Sequence, residues 1–405
     1  MTVTTLKANI VHRDLNICGG GERLSLTVMQ AIYEMGIEFE ITTFEKPNML
    51  RLENSYGKEA ASVVQKARNI NVISSALSEQ VDQIYTEANY RKRYDITINT
   101  HGDALPYYNC HFSKNNSLTQ CHFPTAKYHI DSQDEQYLKE TRVLPIHNGA
   151  KNTDITATGS ITNKTICFQR LKNSYLNLMR NSVVLTNSEF SKKAILQELE
   201  IEALVLSPPV EIEPFRNKAL LSDQKDNIVL VLARVVPYKK IENAIAVAKI
   251  LKENNIAKGM KIMGNLYDDD FVVGDYYYTL IEMVKDYDLA DYISIEINVN
   301  IKKVIEVMRH SKVYLHTAPG ESFGISTVQA MSAGLIPVVP DVGGHTEFVP
   351  RKYHFHNIEE ASEIISYAMN TPLKERIQIS NSVTKFSTSN YIRSFQQLVK
   401  NLRSA

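Results

Sequence analysis

The sequence predicts an α/β protein built from two doubly wound, parallel-sheet domains. Three observations carry this. Short apolar runs alternate with longer helical periods, glycine turns follow several of those runs, and the pattern restarts after a proline-rich break, Ser207–Pro214 (SPPVEIEP). The length of 405 residues agrees, because single hydrophobic cores rarely grow beyond about 250–300 residues.

In the first half, Asn9–Val11 reads as a strand, followed by a glycine loop at Gly19–Gly21 and a helix over Glu22–Met35. Leu24, Val28, Met29, Ile32 and Met35 recur at helical spacing, and Gly36 suits the left-handed residue that stops a helix. Glu38–Thr43, Asp95–Asn99, Leu118–His122 and Val183–Thr186 follow as strands. Strand, helix, strand in this order implies right-handed βαβ units and a parallel sheet. Pro145–Lys164 is polar and without periodicity, which predicts a surface loop ahead of a helix over Ile166–Asn181.

Prolines at 208, 209 and 214 exclude a helix or central strand across the break, so the domain boundary is placed there. Beyond it, Asn227–Ala233, Lys261–Met263, Val313–His316 and Ile336–Val339 read as strands, with helices at Ile241–Leu251 and Ile325–Ala333. The last segment, Asn390–Leu402, spaces Tyr391, Phe395, Leu398, Val399 and Leu402 on one helical face behind Ser389 or Asn390 as N-cap. The expected domains are 1–207 and 208–389, followed by a terminal helix, 390–405.

The 45 basic and 45 acidic residues balance, and 1–207 alone holds 22 of each. That excludes a basic nucleic-acid module and an acidic tail, so partners are recognised at local sites. Cys18, Cys110, Cys121 and Cys167 form no CxxC pair, which argues against structural zinc and a disulfide framework and fits a reducing compartment. No apolar run approaches the roughly 18 residues of a membrane span, and Met1–His12 lacks a signal-peptide core. The expected location is the cytosol, with contact at a membrane surface allowed.

The segment richest in chemistry is HTAPGESFGISTVQAMSAGLIPVVPDVGGHTEFV, His316–Val349. A strand runs into a glycine-containing loop and then a helix, the arrangement in which ligands sit outside strand carboxyl ends and phosphates meet free N–H groups at a helix N-terminus. Ser322, Phe323 and Gly324 are therefore candidates to hold a diphosphate, Glu321 lies in the same loop, and Gly343–Gly344 forms a second turn after the next strand. Arg234 and Lys239 follow the strand Asn227–Ala233 across a proline turn and suit a departing diphosphate, where negative charge accumulates. No Asp-x-Asp stands after a strand. Asp268–Asp270 reads as a solvated loop, so no metal and no cofactor is expected. Gly19, Gly20 and Gly21 would let backbone approach a ligand closely, and His122, His101 and Asp103 follow strands of the same domain.

With these residues in view, the chain resembles the GT-B retaining glycosyltransferases of family 4, whose donor signature pairs a Glu with a second Glu eight positions on. GGGER (Gly19–Arg23), CHFP (Cys121–Pro124), LTNSEFSKK (Leu185–Lys193), SPPVEIEPF (Ser207–Phe215) and LARVVPYKK (Leu232–Lys240) extend the resemblance over nearly the whole chain. CHFP, PYK and SFGI lean toward the dolichol-pathway α-1,2-mannosyltransferases of asparagine-linked glycan assembly. The resemblance implies two Rossmann-like domains facing a crevice, a nucleotide-sugar donor on the second and a glycan or lipid-linked acceptor on the first. It favours GDP-mannose over UDP-sugars.

It also implies catalytic roles for His122 and Glu321, with closure bringing them around the sugar, and a ribose contact at position 329. Two positions depart from the family pattern: Gln329 replaces the second Glu, and Lys240 replaces the Gly after the donor-site Lys. A Gln still accepts from a hydroxyl, but losing the charge-assisted bond costs about 1–2 kcal/mol of donor binding. Two alternatives stay open: transfer from a UDP-sugar to a soluble acceptor, and a sugar-nucleotide-binding subunit without transfer. A dinucleotide oxidoreductase is disfavoured by the missing G-x-G-x-x-G turn. Base recognition is expected near Gly264–Tyr267 and Glu296–Val299.

Overall fold

The computed structural model describes residues 6–72, 94–101, 116–135, 137, 157–216, 225–266 and 271–404. Two units emerge, Met1–Ser207 together with Tyr391–Ala405, and Pro208–Asn390.

The first unit is organised on a seven-stranded sheet: β1 Lys7–Val11, β2 Glu38–Thr43, β3 Ile70–Val72, β4 Ile96–Asn99, β5 Ser117–Gln120, β6 Val183–Thr186 and β7 Leu204–Val205. Its order is β3-β2-β1-β4-β5-β6-β7, and every neighbouring pair is parallel. The central strands are buried on both faces, which explains why they read as apolar runs and not as alternation. Strand order reverses direction between β1 and β4, so the topological switch point lies there. The carboxyl ends at that point deliver His12 and Thr100–His101.

Between β1 and β2 runs the helix Gly20–Glu34, which buries Leu24, Val28, Met29 and Ile32 and ends before Gly36 at φ +71°. Gly19 is its N-cap and Gly20–Gly21 form its first turn, so the expected glycine loop is largely the start of the helix. A second correction concerns Pro145–Lys164. A helix spans Ala157–Arg180, so the end of that polar stretch is helical, its high Thr and Asn content having masked the period. The helices Met49–Tyr56, Thr125–Asp131 and Glu189–Leu199 carry too few apolar residues to stand out in the sequence.

Six strands build the second unit: β8 Asp226–Leu232, β9 Gly259–Gly264, β10 Ile293–Ile297, β11 Ser311–Leu315, β12 Ile336–Pro340 and β13 His354–Phe355. The order β10-β9-β8-β11-β12-β13 is again wholly parallel, with its switch point between β8 and β11. Helices Ile241–Glu253, Phe271–Asp286, Ile301–His310, Ile325–Ser332, Ile358–Met369 and Leu373–Ser382 complete the unit. At the end of β9 a Cβ on Gly264 would stand 1.9 Å from the Ala233 carbonyl oxygen, so only glycine lets β9 and the end of β8 lie this close.

The helix Thr388–Ser404 returns to the first unit, where Tyr391, Phe395 and Val399 enter the core beside Leu24, Val28 and Ile32. Its cap is Ser387, whose Oγ accepts from the Asn390 amide at 3.4 Å, and not Ser389 or Asn390, because the helix starts earlier than the apolar spacing suggests.

Candidate active site

The switch point of the second unit gathers the predicted donor residues. After β8 the chain passes Arg234 and enters the short turn Pro237–Lys239, leaving it through Lys240 at φ +52°. Arg234 and Lys239 both lie over the Tyr238 ring, at 5.6 and 5.5 Å from its centroid. Lys239 Nζ reaches Glu321 Oε2 at 2.5 Å, and the Thr317 hydroxyl donates to the Lys239 carbonyl at 2.7 Å. The loop after β11 is thus tied to the turn after β8 by one ion pair and one hydrogen bond.

Glu321 is also fixed through its backbone. Gly344 N–H donates to its carbonyl at 2.7 Å. Gly343 has φ +127°, and a Cβ there would lie 2.9 Å from both Glu321 N and O. The second glycine turn therefore serves to seat Glu321. Burial pushes the Glu321 carboxyl up, but the Lys239 ammonium outweighs it and holds the group below its ordinary value. His316, 3% exposed and with Nε2 3.7 Å from Glu321 Oε2, is driven by burial down to about 3. It is neutral, so Lys239 supplies the countercharge. The edge of His345 meets the His316 ring at 5.2 Å. His345 Nε2–H donates to the Pro340 carbonyl at 2.8 Å, which leaves Nδ1 as a buried acceptor with no partner among the described residues.

Gly324, at φ +101°, caps the helix Ile325–Ser332. The Phe323 ring does not face a ligand. It packs against Phe348 and Phe386 at 5.2 and 5.0 Å, so only its backbone is available to a diphosphate. Gln329 is half-buried on that helix, and its carboxamide has no hydrogen-bond partner among the described residues. Lys240 instead faces outward beside Glu242, at 3.7 Å. Near the proposed base contacts, Glu296 meets Lys261 at 3.8 Å and accepts from Ser294 at 3.1 Å.

In the first unit, His122 follows β5, one residue later than a strand ending would place it. His122 Nδ1 meets Asn187 Oδ1 at 3.2 Å, and Gln120 Nε2 donates to the same oxygen at 2.9 Å. An amide oxygen only accepts, so Nδ1 carries the hydrogen and Nε2 is left as a buried acceptor with no partner among the described residues. Burial lowers the imidazole and keeps it neutral against the opposing pull of Asn187. A Cβ on Gly21 would lie 3.5 Å from that Nε2, so the glycine turn and His122 share one small space. His101 lies at the switch point, held well below its ordinary value first by burial and then by the charges of His12 and Arg13.

Asp103, Cys110, Tyr267 and Asp268–Asp270 lie outside the described residues. Among the described residues no group of three or more His, Cys, Asp and Glu is placed to hold a metal ion. Sequence reasoning missed Tyr238, His316, His345, Asn187, His12 and Glu22. A usable signal was present for three of them, because His12, Asn187 and His316 each stand immediately after an apolar run, where a parallel sheet delivers side chains to its ligand edge.

Comparison with known proteins bears on the fold and on the class of enzyme. Residues 213–386 match the family model "Glycosyl transferases group 1". An α-1,2-mannosyltransferase of Neurospora crassa, named GDP-Man:Man(3)GlcNAc(2)-PP-Dol alpha-1,2-mannosyltransferase, is 25% identical over 214 residues, 48% of this chain and 38% of that protein. The human protein of the same name is 23% identical over 249 residues, 55% of this chain and 49% of its own length. The matches thus span less than half of these curated relatives. Among solved structures, a glycosyltransferase from Rickettsia africae superposes with TM-score 0.65 at 15% identity, covering 98% of this chain and 99% of that one. Sucrose-phosphate synthase from Thermosynechococcus elongatus gives 0.66 at 12%, with the same coverage. The chain has the GT-B fold of two Rossmann-like parallel-sheet units, its residues 213–386 match the group 1 glycosyltransferase model, and about half of the chain is similar to α-1,2-mannosyltransferases.

Proposed function

We propose that the protein is a retaining hexosyltransferase that moves mannose from GDP-mannose to a glycan or lipid-linked acceptor without a metal. The observation that carries this reading is the Lys239–Glu321 contact at the switch point of the group 1 domain, with Arg234 beside it on Tyr238. Arg234 and Lys239 supply the positive charge that a leaving diphosphate requires, in the place a divalent ion would otherwise take. Backbone N–H groups of Ser322, Phe323 and Gly324 add hydrogen bonds at the helix start.

Glu321, held ionised, accepts from a hydroxyl of the transferred sugar, and Gln329 accepts from the ribose through its carbonyl oxygen. In the first unit, His122 Nε2 accepts from a sugar hydroxyl over the glycine turn, and His101 is a contact for the acceptor. With leaving and attacking oxygens on one face, the departing phosphate oxygen takes the acceptor's proton, and the new bond keeps the donor's configuration. No covalent nucleophile is invoked.

The similarity to mannosyltransferases that act on a dolichol-linked substrate supports a lipid-linked acceptor and a cytosolic, membrane-peripheral location. Among the described residues no helix is long and apolar enough to cross a membrane. Gln329 favours one rival, a sugar-nucleotide-binding subunit without transfer. Calorimetry with GDP-mannose, UDP-glucose and UDP-N-acetylglucosamine, followed by slow donor hydrolysis, decides between them. GDP-mannose is expected to bind best and to be hydrolysed. Binding without hydrolysis or transfer supports the subunit, and preference for a UDP-sugar removes the mannose assignment.

A further inference from the structure

His12 and His354 are buried imidazoles to which the transfer reading gives no role. In the first unit, His12 lies between the Thr100 hydroxyl, 3.1 Å from Nδ1, and Glu22 Oε1, 3.2 Å from Nε2. An Nε2–H tautomer satisfies both contacts, because the Thr100 hydroxyl can donate to Nδ1. His354, in the second unit, is 7% exposed and lies between the two ends of one loop. Its Nε2–H donates to the Val349 carbonyl at 2.9 Å, and its Nδ1 stands 2.8 Å from Asp341 Oδ1. A hydrogen between Nδ1 and Oδ1 joins the two residues whichever atom carries it. The other carboxylate oxygen, Asp341 Oδ2, meets His356 Nε2 at 3.2 Å, but that imidazole is 67% exposed and water competes for it.

Asp341 and Val349 bound the loop that carries Gly343 and Gly344. Asp341 follows β12 directly, and its amide donates to the Phe355 carbonyl at 2.9 Å. At the other end, the Val349 amide donates to the His345 carbonyl at 3.0 Å. Between these ends the loop runs beside the segment that holds Glu321: Gly320 N–H donates to the Val342 carbonyl at 3.2 Å, and Gly344 N–H to the Glu321 carbonyl at 2.7 Å. Two consecutive glycines have wide backbone freedom, so their conformation is set by what holds the ends of the loop. His354 is suited to that task. It opens β13 in register with Val339 of β12, so the sheet fixes the backbone from which its ring projects. Among the described residues the ring makes no hydrogen bond to Glu321, Lys239 or Arg234, so its effect on the site passes through the loop.

We propose that His354 is a positioning residue that pins the two ends of the loop 341–349 and so holds Gly343 and Gly344 against Glu321. Its effect on turnover rests on the transfer reading, in which Glu321 meets the transferred sugar. The pinning of the loop does not.

The test uses the full chain, wild type and the variants His354→Phe, Asp341→Ala and Asp341→Asn. Amide hydrogen exchange followed by NMR reads Gly344, whose N–H is bound to the Glu321 carbonyl. His354→Phe and Asp341→Ala should speed exchange at Gly344 about tenfold and leave β8 and β9 unchanged. Asp341→Asn, whose carboxamide can still hydrogen-bond to the ring, should stay within about threefold of wild type. With GDP-mannose as donor, the first two variants should lose about tenfold or more in kcat with KM within about threefold, because Glu321 shapes the reacting geometry more than donor affinity. Unchanged exchange at Gly344, or equal acceleration throughout β8 and β9, overturns the pinning. Exchange in Asp341→Asn as fast as in Asp341→Ala overturns the hydrogen bond as its cause. Wild-type kcat beside faster Gly344 exchange overturns the positioning role. If wild type turns over no sugar nucleotide, the transfer reading fails, and the exchange results still decide the pinning. Should His354→Phe not fold, the two Asp341 variants suffice.

Discussion

Lys239 Nζ lies 2.5 Å from Glu321 Oε2, joining residues 82 positions apart at the carboxyl ends of β8 and β11. The pair stands at the one edge of the second sheet where neighbouring strands lead away in opposite directions, so two loops meet instead of one. Replacing Lys239 or Arg234 by Ala should lower donor turnover by about 10²–10³-fold, the range for removing one charge-stabilising group. The fold should survive, as a thermal melt would show. Wild-type turnover in either variant removes the diphosphate assignment. Glu321 is depressed below its ordinary 4.5, so the pair is present above that value and is lost as pH falls through the lower folded value. Turnover should therefore not decline through Glu321 between pH 7 and about 5.

Gly343 is predicted to be irreplaceable. Its left-handed φ and the 2.9 Å approach of a Cβ to the Glu321 backbone both oppose a side chain. Gly343→Ala should cost about 1–3 kcal/mol and displace Glu321. Denaturant unfolding reads the first effect, and a larger loss of kcat than of donor affinity reads the second.

Gln329→Glu should strengthen donor binding. A carboxylate at this half-buried position would make a charge-assisted bond to a ribose hydroxyl, worth about 1–2 kcal/mol, or roughly five- to thirtyfold in Kd. Calorimetry with GDP-mannose measures it. Unchanged or weaker binding would place the ribose elsewhere.

Lys225 sits 6% exposed, donating to the Met308 carbonyl, and burial followed by the Arg376 charge lowers its ammonium to about 6. In the unfolded chain it titrates near 10.5, so between those values the unfolded state binds the extra proton. Stability should then rise with pH across that window, by up to about 1.4 kcal/mol per unit from this group. Lys225→Met should stabilise the protein by about 2–4 kcal/mol near pH 8 and flatten the slope. Urea melts from pH 6.5 to 9 test the sign; a slope equal to wild type refutes the assignment.

The final helix should be essential to the first unit. Phe395 is 1% exposed in its core, and Phe395→Ala should cost about 3–5 kcal/mol, detected by loss of exchange protection in β1 and the helix Gly20–Glu34.

Much of this arrangement is legible in the linear pattern. Val183–Thr186 stands out because strands buried on both faces are continuously apolar or β-branched, and Glu38–Thr43 because Phe39 and Ile41 alternate with half-exposed glutamates. Phe323 shows the limit. It falls inside a phosphate-type turn, yet its ring belongs to an aromatic cluster with Phe348 and Phe386, a destination that local spacing does not encode. Pro145–Lys164 shows another, since part of it is helical despite a composition that favours turns.

By itself the sequence determined the α/β class, all but the edge strands of the two sheets, and the residue types at their carboxyl ends, because periodicity and the reach of a βα turn are local properties. Only the tertiary structure decided which of those ends share a switch point. It also decided that Gly343 seats Glu321, that Asn187 sets the hydrogen on His122, and that His12 faces Glu22. Those relationships depend on strand order and on which buried polar atoms find partners, and both are settled when distant segments pack together.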